Sequence, residues 1–472
     1  MLAPAHCGAR LLSRPSGRAG GSRAARLSGA TARASSTLST SLTSSSSSSS
    51  SSSLPSSAYP SNVLELARDW GRWASPEGRG EGGWTDSAAL RDVFTADVQS
   101  AQCHAGAELA AAYGVERDSV QDVVTLSNLA SGEQAVFNVA RHRKPQTFAK
   151  GGAKAHDFDP TRKGGKRCDF CDPLHFTATD AWGRFETAHV VTASNLFKCA
   201  GQHGLILFRR HEPLGHTLGE VEDMFKAFHW WVGEALGAEG QARGEGYLYP
   251  MLVWNVLPRA GASQYHGHAQ TLLTESAPPA IHRWSVLGRG LSAGLGSGGL
   301  ARISPDYVER LMRAHRRVGL VREVVSSRLT DGGGEVAQNG DVPLPPAYVW
   351  ASLTPVQDME LVVYCEDGGG ANFLSAFYAA LTTLTREMGV LTFNAAAYTL
   401  APVSTSAGAT LWSSGPTVAR FVQRGDMASG ASDYGCLEVF AGTKVARTDP
   451  FVLVAALDRA LVAPQGLDSV AS

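Results

Sequence analysis

The reading of this chain turns on residues 255–270, "NVLPRAGASQYHGHAQ". The apolar "MLVW" precedes it and "TLL" follows it, so the segment is expected to be extended on both sides. In a strand, residues i, i+2 and i+4 face one way. His266, His268 and Gln270 would then share one face within about 14 Å of backbone. A neutral imidazole attacks phosphorus well and leaves it well. To do so it must present one nitrogen while a hydrogen bond fixes the other. Gly261 and Gly267 let backbone approach a phosphate, and Ser263 offers a hydroxyl. Gln270 is neutral and both donates and accepts. Taken singly, the two histidines read equally as a pair packed and hydrogen-bonded within a sheet.

Upstream lies "CDFC", Cys168 to Cys171, with the spacing of half a zinc site. There is no second CxxC, so histidines are the natural source of further ligands, and His211 and His266 are the best placed. A Cys2His2 set suits a closed, tetrahedral, structural ion. The other reading is two small buried thiols, with His211 capping a loop. The seven cysteines are an odd and mostly isolated set, which is no disulfide framework.

The bulk numbers exclude some classes. The 472 residues suffice for two ordinary domains and an extension. A net charge of −1 argues against binding nucleic acid by counterion displacement. No apolar run approaches the roughly 18 residues of a membrane span. Residues 1–60 differ from the rest: six arginines, no acidic side chain before Glu65, and an unbroken serine run from Ser44 to Ser53. That composition predicts a disordered transit peptide, with a plastid as the expected address and a mitochondrion as the alternative.

Folded sequence is expected from about residue 61. The spacing predicts helices over "VLELARDW", "DSAALRDVFTADVQSAQ" and "LGEVEDMFKAFHWWVGEALG". The last carries an apolar face of Val221, Met224, Phe225, Phe228 and Trp231, and Gly237 stands near its end. "HGLILFRRH" and "YLYPMLVWNVL" read as strands. Residues 275–300, rich in Pro, Gly and Ser, read as a crossing between domains. Beyond it, helices over "SPDYVERLMRAHRRVGLVREVV" (Ser304 as N-cap, Pro305 first), "FLSAFYAALTTLTREMG" and "DPFVLVAALDRAL" are expected. So are strands over "MELVVYC", "LTFNAAAYTLA", "ARFVQRG" and "GCLEVFAG". Each half is a few antiparallel strands with covering helices, an α+β pattern, and the similar content of the halves suggests duplication.

With these motifs in order, the chain resembles the galactose-1-phosphate uridylyltransferase family, a branch of the histidine-triad superfamily that includes ADP-glucose and diadenosine polyphosphate phosphorylases. Asn255, Gly261, Ser263, His266, His268 and Gln270 match the family's pattern without a gap, with Gly267 in place of a usual Pro. The resemblance covers residues 120–275 and extends faintly to the end. It implies two histidine-triad-like domains, 61–285 and 301–465, each an antiparallel sheet flanked by helices. The first would carry zinc and nucleophile, and the second a depleted second site. It also implies that His268 becomes nucleotidylated, with Gln270 and Ser263 as catalytic partners. Asn255, Gly261, Asn195 in "SNLF", and Arg141 and Lys144 in "VARHRKP" would contact substrate. A structural Zn²⁺ would be held by Cys168, Cys171, His266 and His211, with His216 a rival to His211.

The second half departs from the family. Thr399, Val418 and Arg420 stand where histidines are usual, so a second metal site is not expected. Glu438 matches a sugar-contacting glutamate, but Lys444 replaces a glutamine. Lys444 and Arg420 would suit an anionic acceptor such as inorganic phosphate, unless they are solvated surface charges. The implied activity is transfer of a nucleoside monophosphate from a nucleotide sugar or dinucleoside polyphosphate to phosphate or a sugar phosphate, with neither nucleic acid nor membrane as partner and a homodimer as the usual assembly. The alternatives are a histidine-triad nucleotide hydrolase and a non-catalytic, zinc-stabilised nucleotide-binding protein.

Overall fold

A computed structural model describes residues 58–75, 86–113, 116–138, 154–163, 167–292, 306–325, 344–366, 370–406, 415–429 and 431–462. The transit-peptide expectation falls almost wholly, and Arg141, Lys144, Ser304 and Pro305 fall wholly, outside the described residues.

The fold is α+β, with fourteen strands among the described residues. They are β1 (Phe94–His104), β2 (Asp118–Asn128), β3 (Gln134–Phe137), β4 (Val190–Ser194), β5 (Gln202–Phe208), β6 (Tyr247–Val256) and β7 (His268–Thr274). They continue as β8 (Val321–Val324), β9 (Ala347–Ala351), β10 (Leu361–Cys365), β11 (Phe393–Thr399), β12 (Val403–Ser404), β13 (Thr417–Gln423) and β14 (Thr443–Ala446). A ten-stranded antiparallel sheet runs β4-β5-β7-β6-β11-β13-β10-β9-β8, with β12 added on β6. The two halves repeat one plan: β4, β5, a long helix, β6, β7, and then β9, β10, a long helix, β11, β13. They join edge to edge where β6 pairs with β11, Asn255 opposite Asn394. The two halves thus repeat one strand order about that seam.

One face of this sheet is covered by helices Leu218–Arg243 and Ala371–Thr382. The first is capped by Thr217, whose hydroxyl accepts from the Glu220 amide while the Glu220 carboxylate accepts from the Thr217 amide. Its expected apolar face is buried. It runs past Gly237 to Arg243, and Gly244 ends it with φ +85°. Phe225 meets Phe377 with ring centroids 4.9 Å apart, and Phe377 meets Phe421 of β13 at 4.6 Å. Trp231 lies across β5 at Gly204, and its indole N–H donates to Asp180 at 2.8 Å.

The opposite face is divided. Over the second half it is covered by helix Asp306–Arg317, helix Pro279–Ser292 and the N-terminal elements. These include a four-stranded sheet, β1-β2-β3-β14, completed by the C-terminal β14 running parallel to β3. Over the first half this face carries His268 and Gln270.

Four expectations fail locally. The helix expected over "SPDYVERLMRAHRRVGLVREVV" stops at Arg317, and Val321–Val324 form β8. "FTADVQSAQ" is strand β1 and not helix, because β2 offers it an eleven-residue antiparallel register from Phe94–Asn128 to His104–Asp118. Residues 279–292 of the expected crossing form a helix. Residues 437–441 of "GCLEVFAG" form a π-helical turn and not a strand, so Glu438 sits beside β14 and outside the sheet.

Gly204 is required by the Trp231 packing, since a Cβ there would overlap the indole and reach Thr271 Cγ2 at 3.0 Å. Gly204→Ala is expected to cost about 1–3 kcal/mol of stability, measurable as a lowered denaturant midpoint. A midpoint equal to wild type would show that the helix does not sit where it is described.

Candidate active site

β7 begins at His268, so His266 lies just before the strand. His268 and Gln270 share one face of it. The preceding turn is demanding: Leu257, buried, has φ +68°, and Gly261 has φ +93°. Gly267, where the resemblance expects Pro, lies against the chain at 212–213. A Cβ at this position would come 3.2 Å from Pro213 Cα and 3.5 Å from the Glu212 carbonyl oxygen. The chain that brings His211 in therefore packs directly on the link between the two histidines.

His266 is buried and uses both ring nitrogens. Nε2–H donates to the Phe208 carbonyl at 2.6 Å. Nδ1 therefore carries a lone pair, and it lies 3.5 Å from both Cys168 Sγ and Cys171 Sγ. His211 is built likewise: Nε2–H donates to Asp159 at 3.0 Å, and Nδ1 lies 3.3 Å from Cys171 Sγ. The two Nδ1 atoms stand 3.3 Å apart. Two lone pairs at that distance with no proton between them repel, unless a cation lies between. All four ligand atoms fall within 4.8 Å of one another, so the cluster could hold a metal ion. A tetrahedral ion at about 2.0–2.1 Å from nitrogen and 2.3 Å from sulfur places its ligands about 3.3 Å apart for N–N and about 3.5 Å for N–S. The observed separations match both. Burial and the neighbouring Cys168 push the Cys171 thiol up to about 11, and burial takes His266 down to about 4. The group is thus poorly suited to carrying its own charges and well suited to surrounding one.

Asp159, unforeseen from the sequence, supports this cluster. It is 2% exposed, and Thr161 donates to it through amide and hydroxyl at 2.9 and 2.7 Å. Burial works against its charge, but the Thr161 and His211 hydrogen bonds outweigh burial and lower its pKa. Outer carboxylates of this kind fix a ligand's tautomer. The rival His216 is settled by position: it lies on the other face, between the Phe208 and Trp254 rings at 4.3 and 4.8 Å.

His268 is 5% exposed. Its Nδ1–H donates to the His266 carbonyl at 2.9 Å, which leaves the lone pair on Nε2. Burial lowers its pKa, and the backbone bond opposes this without reversing it, which favours the neutral ring. Phe170, from the middle of "CDFC", meets it edge-on with centroids 5.1 Å apart, so the cysteine loop also packs the second histidine. Val191, Ala193, Leu205 and Leu207 form a small apolar floor beside Phe170.

Around it, Gln270 accepts from His203 at 2.8 Å, and Asn195 Nδ2 stands 3.0 Å from the same His203 nitrogen. Asn255 accepts from Asn394 at 2.6 Å. Ser263 and Gly261 are exposed in the turn above. His203 and Asn394 are further residues the sequence reading passed over; each stands alone in an apolar run, with no motif to mark it.

Two expected contacts sit elsewhere. Glu438 and Lys444 line a separate polar cavity of about 360 Å³, with Gln357, Asp358, Asp433 and Arg447. Lys444 is 6% exposed and ion-paired to Glu438 at 3.5 Å. Arg420 is neither surface charge nor acceptor contact. Its side chain is 12% exposed and paired with Glu360 at 2.5 Å, and its guanidinium lies 4.8 Å from the Trp284 ring.

No protein-family model and no curated protein sequence matches this chain. Among solved structures similar to it is an ADP-glucose phosphorylase from Arabidopsis thaliana with bound ADP-glucose, at 12% identity and TM-score 0.41, covering 70% of this chain and 97% of that one. A uridylyltransferase has 13% identity and TM-score 0.42, covering 71% and 97%. A yeast Ap4A phosphorylase in complex with AMP has 12% identity and TM-score 0.29, covering 71% and 87%.

Asp159→Ala is expected to weaken divalent-metal affinity about 10–100-fold, read by competition with a chromophoric chelator. Cys171→Ser should abolish binding of one equivalent. Metal content unchanged in both variants would dissolve the proposed cluster.

Proposed function

We propose that the protein is a nucleotidyltransferase working by double displacement. His268 Nε2 attacks the α-phosphorus of a nucleotide sugar or dinucleoside polyphosphate. The P–O bond to the leaving group breaks, and a sugar phosphate or nucleotide departs with that electron pair. A phosphate oxygen of the acceptor then attacks the nucleotidyl-histidine and restores the neutral ring. The observation that carries this reading is the bond from His268 Nδ1–H to the His266 carbonyl. It aims a neutral, lone-pair-bearing nitrogen from a strand end, as a nucleophile toward phosphorus requires.

The ion in this reading is zinc, and its role is structural. Two thiols and two imidazoles are the donor set zinc favours, and four protein ligands leave no open position for substrate. When bound it would act only indirectly, through His266, whose carbonyl accepts from His268 Nδ1–H. Asn195, Asn255, Ser263 and Gly261 would bound the transferred group, and Arg141 and Lys144 would supply positive charge to it. The acceptor in this reading is phosphate or a sugar phosphate; the Glu438–Lys444 cavity lies apart from His268, and its lining of Asp358, Asp433 and Glu438 around an ion-paired Lys444 offers no net positive charge to hold it. Burial lowers the Lys444 pKa, while Glu438 opposes that shift.

Incubation with UDP-sugars, ADP-glucose, GDP-sugars and diadenosine polyphosphates labelled at the α-phosphorus should transfer acid-labile label to the protein. Phosphate or hexose phosphate should discharge it. His268→Ala should lower the labelling rate on the order of 10³-fold or more. Label that forms equally in the variant, or with none of these donors, would sink the proposal. Discharge at the same rate with water alone would make the protein a hydrolase.

A further inference from the structure

Two neutral carboxamides flank His268 on its own face of the sheet. Gln270 lies two residues along β7. Asn255 comes opposite His268 on β6, one step beyond the Trp254–Ala269 pair. An amide can present either end to a ligand, and the two ends have opposite polarity. Groups with only one possible polarity decide which end is presented here.

On the β6 side the chain of decisions begins at Arg424, which can only donate. Its Nη1 lies 2.5 Å from Asn394 Oδ1, so that atom is an oxygen. The Asn394 NH2 then faces the Ala260 carbonyl at 2.7 Å, which can only accept, and Asn255 at 2.6 Å. The Asn255 atom facing Asn394 must therefore be its oxygen. Asp433 holds Arg424 in place through Nε at 2.8 Å.

On the β5 side the decision begins at a backbone amide. The Cys199 N–H donates to His203 Nδ1 at 3.1 Å, which bars a proton from that nitrogen. The ring proton is then on Nε2, which donates to Gln270 Oε1 at 2.8 Å. The Phe197 amide fixes the Asn195 oxygen at 2.9 Å, so the Asn195 NH2 beside His203 Nε2 finds no lone pair left there. In both relays the carboxamide oxygen is taken by the protein. Among the described residues neither remaining NH2 has a hydrogen-bond partner.

We propose that His203, and the pair Arg424–Asn394, are positioning residues that lock Gln270 and Asn255 with their N–H donors left for a ligand, making a neutral two-donor cradle beside His268 for the non-bridging oxygens of a phosphoryl group. This rests on His268 as the site of phosphoryl chemistry. It assigns the second half a part in the first half's site, since Asn394 and Arg424 come from β11 and the segment after β13. The ring at position 203 offers one accepting and one donating nitrogen, and so passes the polarity of the Cys199 amide on to Gln270. With either amide inverted, a carbonyl oxygen would face the anionic oxygens and repel them.

The test uses the full chain and inorganic phosphate as probe, with affinity from calorimetry and the Asn and Gln side-chain amides followed by ¹⁵N-resolved NMR. The Gln270 and Asn255 NH2 signals should shift on titration. Asn394→Asp keeps an acceptor for Arg424 but offers no donor to Asn255, so the Asn255 amide should invert; phosphate affinity should fall about tenfold and the Asn255 response vanish. His203→Phe should do the same to Gln270, while His203→Gln, which can still donate, should stay near wild type. Unchanged affinity in Asn394→Asp and His203→Phe, or amide signals that ignore phosphate, would overturn the cradle. If the cradle behaves as described but no labelled nucleotide ever marks His268, the transfer reading fails and the cradle stands.

Discussion

One ring holds the site together: His266, with Nε2–H on the Phe208 carbonyl and Nδ1 among two thiols and a second imidazole. Both of its nitrogens are committed, so its backbone cannot rotate without breaking both sets of contacts. The carbonyl of that same residue holds His268 Nδ1. Order therefore passes through the backbone from a cluster fit for a cation to the nitrogen fit for chemistry. Desolvation reinforces this, since burial disfavours the charged form of each ring.

The sheet supplies what the cluster cannot. Its pleat puts His268, Gln270, Asn255 and Asn394 on one face. The same pleat puts Ala269, Thr271 and Trp254 on the other, against the long helices. Joining the halves at β6 and β11 brings Asn394 within hydrogen-bonding reach of Asn255. The repeat in strand order thus has a chemical use, although β13 carries no histidine. Arg420 on that strand has been turned to structure instead, packed against Glu360 and Trp284. Losing Arg420 would leave the buried Glu360 carboxylate without its cation.

Much of this was legible beforehand. The helix 218–243 declared itself through Val221, Met224, Phe225, Phe228 and Trp231 at helical spacing. The strands around 247–256 and 268–274 declared themselves by apolar runs, and the CxxC declared half a metal cluster. The failures share one cause. "FTADVQSAQ" has spacing compatible with helix, and only the partner strand β2 decides otherwise. "CLEVF" is apolar and short, and its local pattern does not separate a turn of helix from an edge strand. Asp159, His203 and Asn394 carry no motif, because their roles depend on partners 52, 67 and 139 residues away in the chain.

The amino-acid sequence by itself determined the donor types and their order: two thiols, then the imidazoles, then a neutral amide. It also determined the α+β alternation, because periodicity and ligand chemistry are local properties. Which histidine joins the thiols was decided only by tertiary structure, since His211 and His216 are five residues apart and lie on opposite sides of a sheet. The tautomer of His268 and the polarity of both amides were likewise settled by folding. Those depend on which donor or acceptor is brought opposite each atom, and hydrogen-bond partners distant in the chain leave no periodicity behind.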